Sequence, residues 1–291
     1  MTGRLVHTGQ VVLDLVMAVP ALPPPGGDVL ATSTNLLPGG GFNVLAAAAR
    51  SGARALYAGT HGTGPLGNLA RAALAAEGVE LAHEPTPELD TGVVVALVDA
   101  SGERTFATGT GAEGRLSPAL LDRVLPNDDD VVYVTGYSLL HETNRRALAG
   151  WLPKLPGSRI LFDPGPLVAE INPGDLHDLL SIVDILSCNV READVLGELP
   201  PVAIVREGAK GCLVHEHGRT TEVPGFAVDA VDTNGAGDTH CGVLAAELLR
   251  GSTLLDAAVR ANAAAALSVT RHGPATAPDR SEIDHWVEAM T

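Results

Sequence analysis

The residues best placed to do chemistry lie in "VDTNGAGDTHCG", residues 231–242. Asp232 and Asp238 bracket Gly235-Ala236-Gly237, and the Ala- and Leu-rich run "VLAAELLRG" follows. Three small residues let a ligand approach backbone N–H groups closely. A helix start carries about half a positive charge, so it draws an anion. The pattern therefore describes an anion seat, and an aspartate held beside it needs a separate reason to be there.

Two further stretches carry polar groups at helix starts. In "PGGGFNVLAAAARSGA" (38–53), Gly39 and Gly40 open a loop that runs into a helix at Asn43. An amide there can donate to and accept from sugar hydroxyls, or can cap the helix. In "CNVREAD" (188–194), Asn189 and Glu192 stand three apart and share one side of a first helical turn. They can order the water shell of Mg²⁺ or form a capping box. "GTGPLG" (62–67) matches G-x-G-x-x-G between a strand and a helix, the context of a dinucleotide fingerprint. It is not the first such unit, and no acidic strand end for a ribose follows. No P-loop, G-x-S-x-G or H-E-x-x-H pattern occurs. His215 and His217 beside a turn read as a solvated strand edge.

These motifs need a scaffold to bring them together. "RLVHTG", "RALYAGT", "DVVYVTG", "RILFDPG", "VDILSCN" and "VAIVREG" read as buried strands. Helical patterns cover 43–51, 67–78, 117–124, 142–152, 191–198, 238–250 and 254–270. Such alternation predicts an α/β fold, a mostly parallel central sheet with helices on both faces. Ligands then sit outside the carboxyl ends of the strands, where the polar motifs cluster. Residues 14–38, rich in turn formers, and 90–112, two strands about "DASGE", break the pattern. They are expected to form a discontinuous β lid on a core of 1–13, 39–89 and 113–291. A homodimer would form through this lid.

The bulk composition narrows the function. The chain has 291 residues, 45% of them hydrophobic, and a net charge of −16. That charge argues against nucleic acid and membrane surfaces as partners. Three cysteines without a Cys-x-x-Cys pair argue against a disulfide framework or a zinc site. The start lacks a signal-peptide pattern, and no apolar run approaches about 18 residues, so a cytoplasmic protein is expected.

Taken in order, "GG…N" near residue 40, Asn189…Glu192 and Asp232–Asp238 resemble the ribokinase-like (PfkB) family of carbohydrate kinases. The "GTGPLGNLARAALAAEGVEL" segment resembles it too, which weakens the dinucleotide reading. The resemblance implies ATP-dependent phosphorylation of a sugar hydroxyl. Asp238 would be the base that takes the hydroxyl proton as the oxygen attacks the γ-phosphate. Gly235, Ala236 and Gly237 would form the anion hole for the transferred phosphoryl. Asp14, Gly39, Gly40, Asn43 and Asp163 would bind substrate, and Asn189, Arg206, Gly208, Gly211 and Asn262 would bind ATP. Glu192 would hold Mg²⁺ through water, and Asp232 and Asn234 a monovalent cation, potassium.

Several positions depart from the ribokinase pattern. Val12 stands where ribokinases proper tend to be polar, and Gly40-Gly41-Phe42 replaces a longer lysine-containing loop. Arg206 replaces a frequent threonine, and His240 a phenylalanine. A fructokinase-like enzyme, a keto-sugar-acid kinase and a nucleoside kinase, with Val12 and Phe42 facing a base, all stay open. Readings from other classes are a non-catalytic sugar- or nucleotide-binding regulator and a nicotinamide-dependent oxidoreductase using 62–67.

Overall fold

The computed structural model describes residues 3–155 and 157–290. In chain order its strands are β1 (Leu5–His7), β2 (Val11–Ala18), β3 (Ser33–Gly40), β4 (Ala55–Tyr57), β5 (Glu80–Leu81), β6 (Val93–Val98) and β7 (Arg104–Gly109). There follow β8 (Val131–Thr135), β9 (Arg159–Asp163), β10 (Ile185–Asn189), β11 (Ala203–Arg206), β12 (Gly211–Glu216) and β13 (Arg219–Pro224). Nine form one sheet, ordered β13-β12-β11-β10-β9-β8-β1-β4-β5. Its strands run parallel except for β12, which is antiparallel to both β11 and the edge strand β13.

Side-chain alternation along the central strands splits the core in two. Leu5, Val131, Tyr133 and Leu161 point into one apolar cluster with the helices Gly41–Arg50, Ala236–Leu249 and Leu254–Ser268. Val6, Val132, Val134 and Phe162 point into the other, with Leu148 and Trp151 of helix Glu142–Trp151. Sheet strands apolar on both faces are what a helix layer on each side requires.

The remaining four strands make a separate sheet, ordered β3-β2-β6-β7. Its strands overrun the limits suggested by turn composition: β2 opens at Val11 and β3 closes at Gly40. The β3 strand then passes into helix Gly41–Arg50 with no residue between them. Gly40 makes the junction at φ 60°, a left-handed geometry that suits glycine. Outer strand β7 is largely exposed, with Phe106 facing solvent.

Candidate active site

Helix Ala236–Leu249 starts at Gly235, whose φ is 74°. A Cβ on Gly235 would stand 1.9 Å from the Pro274 carbonyl oxygen, so the turn closes only with glycine there. The N–H groups of Gly237 and Asp238 fall in the first turn, where a helix has no carbonyl to offer them. Four residues past Asp238, Gly242 packs on the Gly41–Arg50 helix, and a Cβ there would meet the Val44 carbonyl oxygen at 2.4 Å. Alanines 46–48, wholly buried, permit the same close approach. The two helix starts are thereby brought side by side.

That packing sets Asn43 against Asp238. Asn43 Nδ2 donates to Asp238 Oδ2 at 2.8 Å. The Gly41–Arg50 helix begins two residues ahead of Asn43, so Asn43 lies within the first turn rather than capping it. Asp238 likewise follows its N-cap, Gly235. Neither side chain is a helix cap. Asn43 Oδ1 is buried with no partner, an acceptor still to be satisfied.

Asp14, on β2, completes the group. Gly39 lies on the neighbouring strand, where a Cβ would come within 2.1 Å of Asp14 Oδ2. Burial, with the charge of Asp238 added, pushes the Asp14 carboxyl up to about 6. Burial also pushes Asp238 up to about 6, against the opposing pull of the Asn43 hydrogen bond. Two carboxyls and an amide thus share one site beside a turn of free N–H groups.

Behind them lies a buried ion cluster. Arg206 Nη1 bonds Asp163 Oδ2 at 2.9 Å and Ser187 Oγ at 3.2 Å, and Nη2 stands 3.6 Å from Glu192 Oε2. Gly165 N–H donates to the other Asp163 oxygen at 2.9 Å. Arg206, expected at ATP, therefore turns inward, and Asp163, expected at the substrate, is spent on Arg206 and its own loop. Glu192 forms the capping box with Asn189: Asn189 N–H donates to Oε2 at 2.8 Å and Nδ2 to Oε1 at 2.6 Å. Glu192 is only 4% exposed, so as placed it does not fit a magnesium water shell. Among the described residues no three His, Cys, Asp or Glu side chains converge as a metal site.

The expected nucleotide side is built on β11 and the edge hairpin. Gly208 and Gly211 bound a short 3-10 turn, and a Cβ on Gly211 would meet the Val223 carbonyl oxygen at 2.2 Å. Asn262 Nδ2 donates to the carbonyls of Val223 and Pro224 at 3.1 and 3.2 Å, tying the hairpin end to helix Leu254–Ser268. His240 is buried beside Arg206 and Asn262.

The fingerprint at 62–67 is closed to a dinucleotide. Asp90 accepts from Leu66 N–H at 3.1 Å and Gly67 N–H at 2.7 Å, filling the start of helix Pro65–Ala76 with the chain's own carboxylate. The nucleoside argument also loses a support, because Phe42 packs in the core at 4% exposure. Val12 is nearly as buried.

A sequence model of pfkB family carbohydrate kinases matches residues 3–280. The chain belongs to that family. It is a sugar kinase of ribokinase and fructokinase type, a phosphotransferase of an ATP-using family. The kinase is 28% identical over 312 residues to the ribokinase of Haemophilus influenzae, covering 99% of each chain. It is 30% identical over 287 residues to an ATP-dependent ribose-1-phosphate kinase of Halopiger xanaduensis, covering 94% of this chain and 95% of the other. Its fold matches Arabidopsis thaliana ribokinase, solved with ribose and ATP, at a TM-score of 0.81 and 22% identity over 99% of both chains.

Two residues near this kinase's site were not singled out from the sequence. Tyr137, 40% exposed just past β8, packs its ring against Gly165. Burial first, then the charges of Asp238, Asp163, Glu192 and Asp14, raise its phenol. Its place at the carboxyl end of a strand was the one available clue. Arg104 of β7 donates to Asp232 Oδ1, 128 positions away, a pairing no local pattern announces. No helix of the described residues is long and apolar enough to cross a membrane.

Proposed function

We propose that the chain transfers the γ-phosphoryl group of ATP to a hydroxyl of a neutral sugar, with Asp238 as the general base. The hydrogen bond between Asn43 and Asp238, beside the Gly235–Gly237 turn, is the observation that carries this reading. It fixes the carboxylate where an incoming hydroxyl can give up its proton. A carboxyl raised to about 6 stays ionised near neutral pH, yet is more basic than a free aspartate. Asp14, held above Gly39, accepts from other sugar hydroxyls and sets which oxygen meets Asp238. The N–H groups at the helix start receive charge that develops on the transferred phosphoryl. The turn at Gly208–Gly211 offers backbone to the nucleotide. Magnesium accompanying the donor supplies charge neutralisation at its phosphates.

A neutral acceptor is favoured over a sugar acid. Asp14 and Asp238 concentrate negative charge where the acceptor binds, and Arg206 is committed to Asp163 and Glu192. A carboxylate-bearing substrate would meet repulsion with that arginine already paired.

The test is ADP release, in ATP and magnesium, across ribose, fructose and other neutral sugars, sugar acids and nucleosides. Turnover on a neutral sugar, lost in Asp238→Asn, is expected. Turnover confined to sugar acids or nucleosides overturns the acceptor class. Tight sugar binding by calorimetry with no turnover on any acceptor replaces the enzyme by a binding protein.

A further inference from the structure

The potassium implied by the resemblance does not fit Asp232, the carboxylate meant to hold it. Asp232 Oδ1 accepts from the Arg104 guanidinium and from Asn234 N–H at 2.9 Å, and Oδ2 from Gly273 N–H at 3.0 Å. A cation at these oxygens would face three hydrogen-bond donors, one carrying a full positive charge. The charge opposite Asp232 comes instead from the chain itself.

Arg104 opens β7, paired with Val98, on the outer strand of the small sheet. Both partners are largely covered, with side chains 29% and 16% exposed, so this is not a loose surface pair. Its reach matters. Val231 and Asp232 N–H both donate to the Val269 carbonyl, at 2.7 and 3.1 Å. Asp232 then grips Gly273, and the next carbonyl, of Pro274, lies against Gly235. One run of contacts leads from the small sheet to the turn that presents the free N–H groups.

We infer that Arg104 is a positioning residue, a cation fixed in the small sheet that holds the Asp232 loop, and through it the Gly235 turn, in the shape that binds an anion. The effect on turnover rests on the kinase reading; the effect on the loop does not. The loop's order depends on where the small sheet is seated, and dissolved potassium has no part in it.

The experiment compares wild type with Arg104→Gln and Arg104→Lys, dialysed free of potassium, in potassium or choline salts at matched ionic strength. Amide exchange across 231–235 and 269–276 is read alongside steady-state kinetics. A charge-assisted bond lost from this loop accelerates exchange in Arg104→Gln by about tenfold, with a similar fall in kcat and sugar KM within about twofold. Arg104→Lys recovers part of both. Potassium leaves wild type unchanged and stimulates only Arg104→Gln. Unchanged exchange in Arg104→Gln overturns the proposal, as does equal stimulation of both proteins by potassium. If no acceptor is phosphorylated the kinase reading falls, and the exchange data alone decide the role of Arg104.

Discussion

Asn43 Nδ2 lies 2.8 Å from Asp238 Oδ2, joining the first turns of two helices whose residues stand 195 positions apart. The bond has two effects of opposite sense. It lowers the affinity of Asp238 for a proton, while burial raises it. It also fixes one carboxylate oxygen, and in the proposed reaction the other would meet the substrate hydroxyl.

Asp238→Asn is expected to lower kcat by about 10²- to 10⁴-fold, the usual worth of a general base. In wild type, kcat/KM should climb as pH rises through about 6, because the base acts only when ionised. Stability runs the other way. A carboxyl whose folded value exceeds its ordinary 3.8 contributes stability below that ordinary value and loses it as pH rises through about 6. By scanning calorimetry, Asp238→Asn should therefore gain Tm over wild type at about pH 7.5 and lose that advantage near pH 4. A flat pH profile through this range, with unchanged turnover in the variant, removes Asp238 from the role.

Asn43→Ala removes the bond that holds Asp238 down, so the acidic limb of kcat/KM should move to higher pH. Turnover at its plateau should fall about tenfold, since the carboxylate loses its fixed orientation. Steady-state kinetics from acid to neutral pH measure both. An unmoved limb would mean that Asn43 packs beside the base without tuning it.

Gly39→Ala would set a methyl where the Asp14 carboxylate now lies, 2.1 Å from Oδ2. Asp14 must swing away, and on the proposed reading the sugar hydroxyls would lose their partner. We expect sugar KM to rise by at least about tenfold with ATP KM nearly constant. Equal changes in both constants would place Gly39 and Asp14 outside the sugar site.

Arg206→Met strands Asp163 and weakens the surroundings of Glu192, two buried carboxyls that now share one guanidinium. Removing one partner of such a cluster costs about 3–5 kcal/mol. Urea unfolding should register that loss, and Asp163→Asn in the same background should restore part of it. A loss of ATP affinity at wild-type stability would instead return Arg206 to the nucleotide.

The parallel core was legible because its strands are short β-branched runs ending in polar residues, such as "DVVYVTG" and "RILFDPG", each followed by a helix. Of the edge hairpin β12–β13 only a strand edge and turn at His215 and His217 were read, since "CLVHEHGRTTEV" mixes polar and apolar residues without a clean period. At the site, Asp238 and Asn43 were visible as polar residues at glycine-rich helix starts. Their mutual contact was not, because it depends on close helix packing at Gly242. The ion cluster of Arg206, Asp163 and Glu192 was not visible for a related reason. The register of β9, β10 and β11 sets Arg206 across from Asn189 and near Asp163, and strand register does not show in a linear motif. Of the two readings open for Glu192, the cap is the one that forms.

The glycine-rich turns at 62–67 and 235–237 both open helices, and of these two only the second leaves its amides without a carboxylate cap. At residues 62–67 the Asp90 side chain covers the helix start as a stopper covers a socket. A protein that handles phosphate esters gains selectivity from such self-occupation. With Leu66 and Gly67 already bonded to Asp90, a polyphosphate would find no open amides there, and on the proposed reading the Gly235 turn would have no rival for the donor.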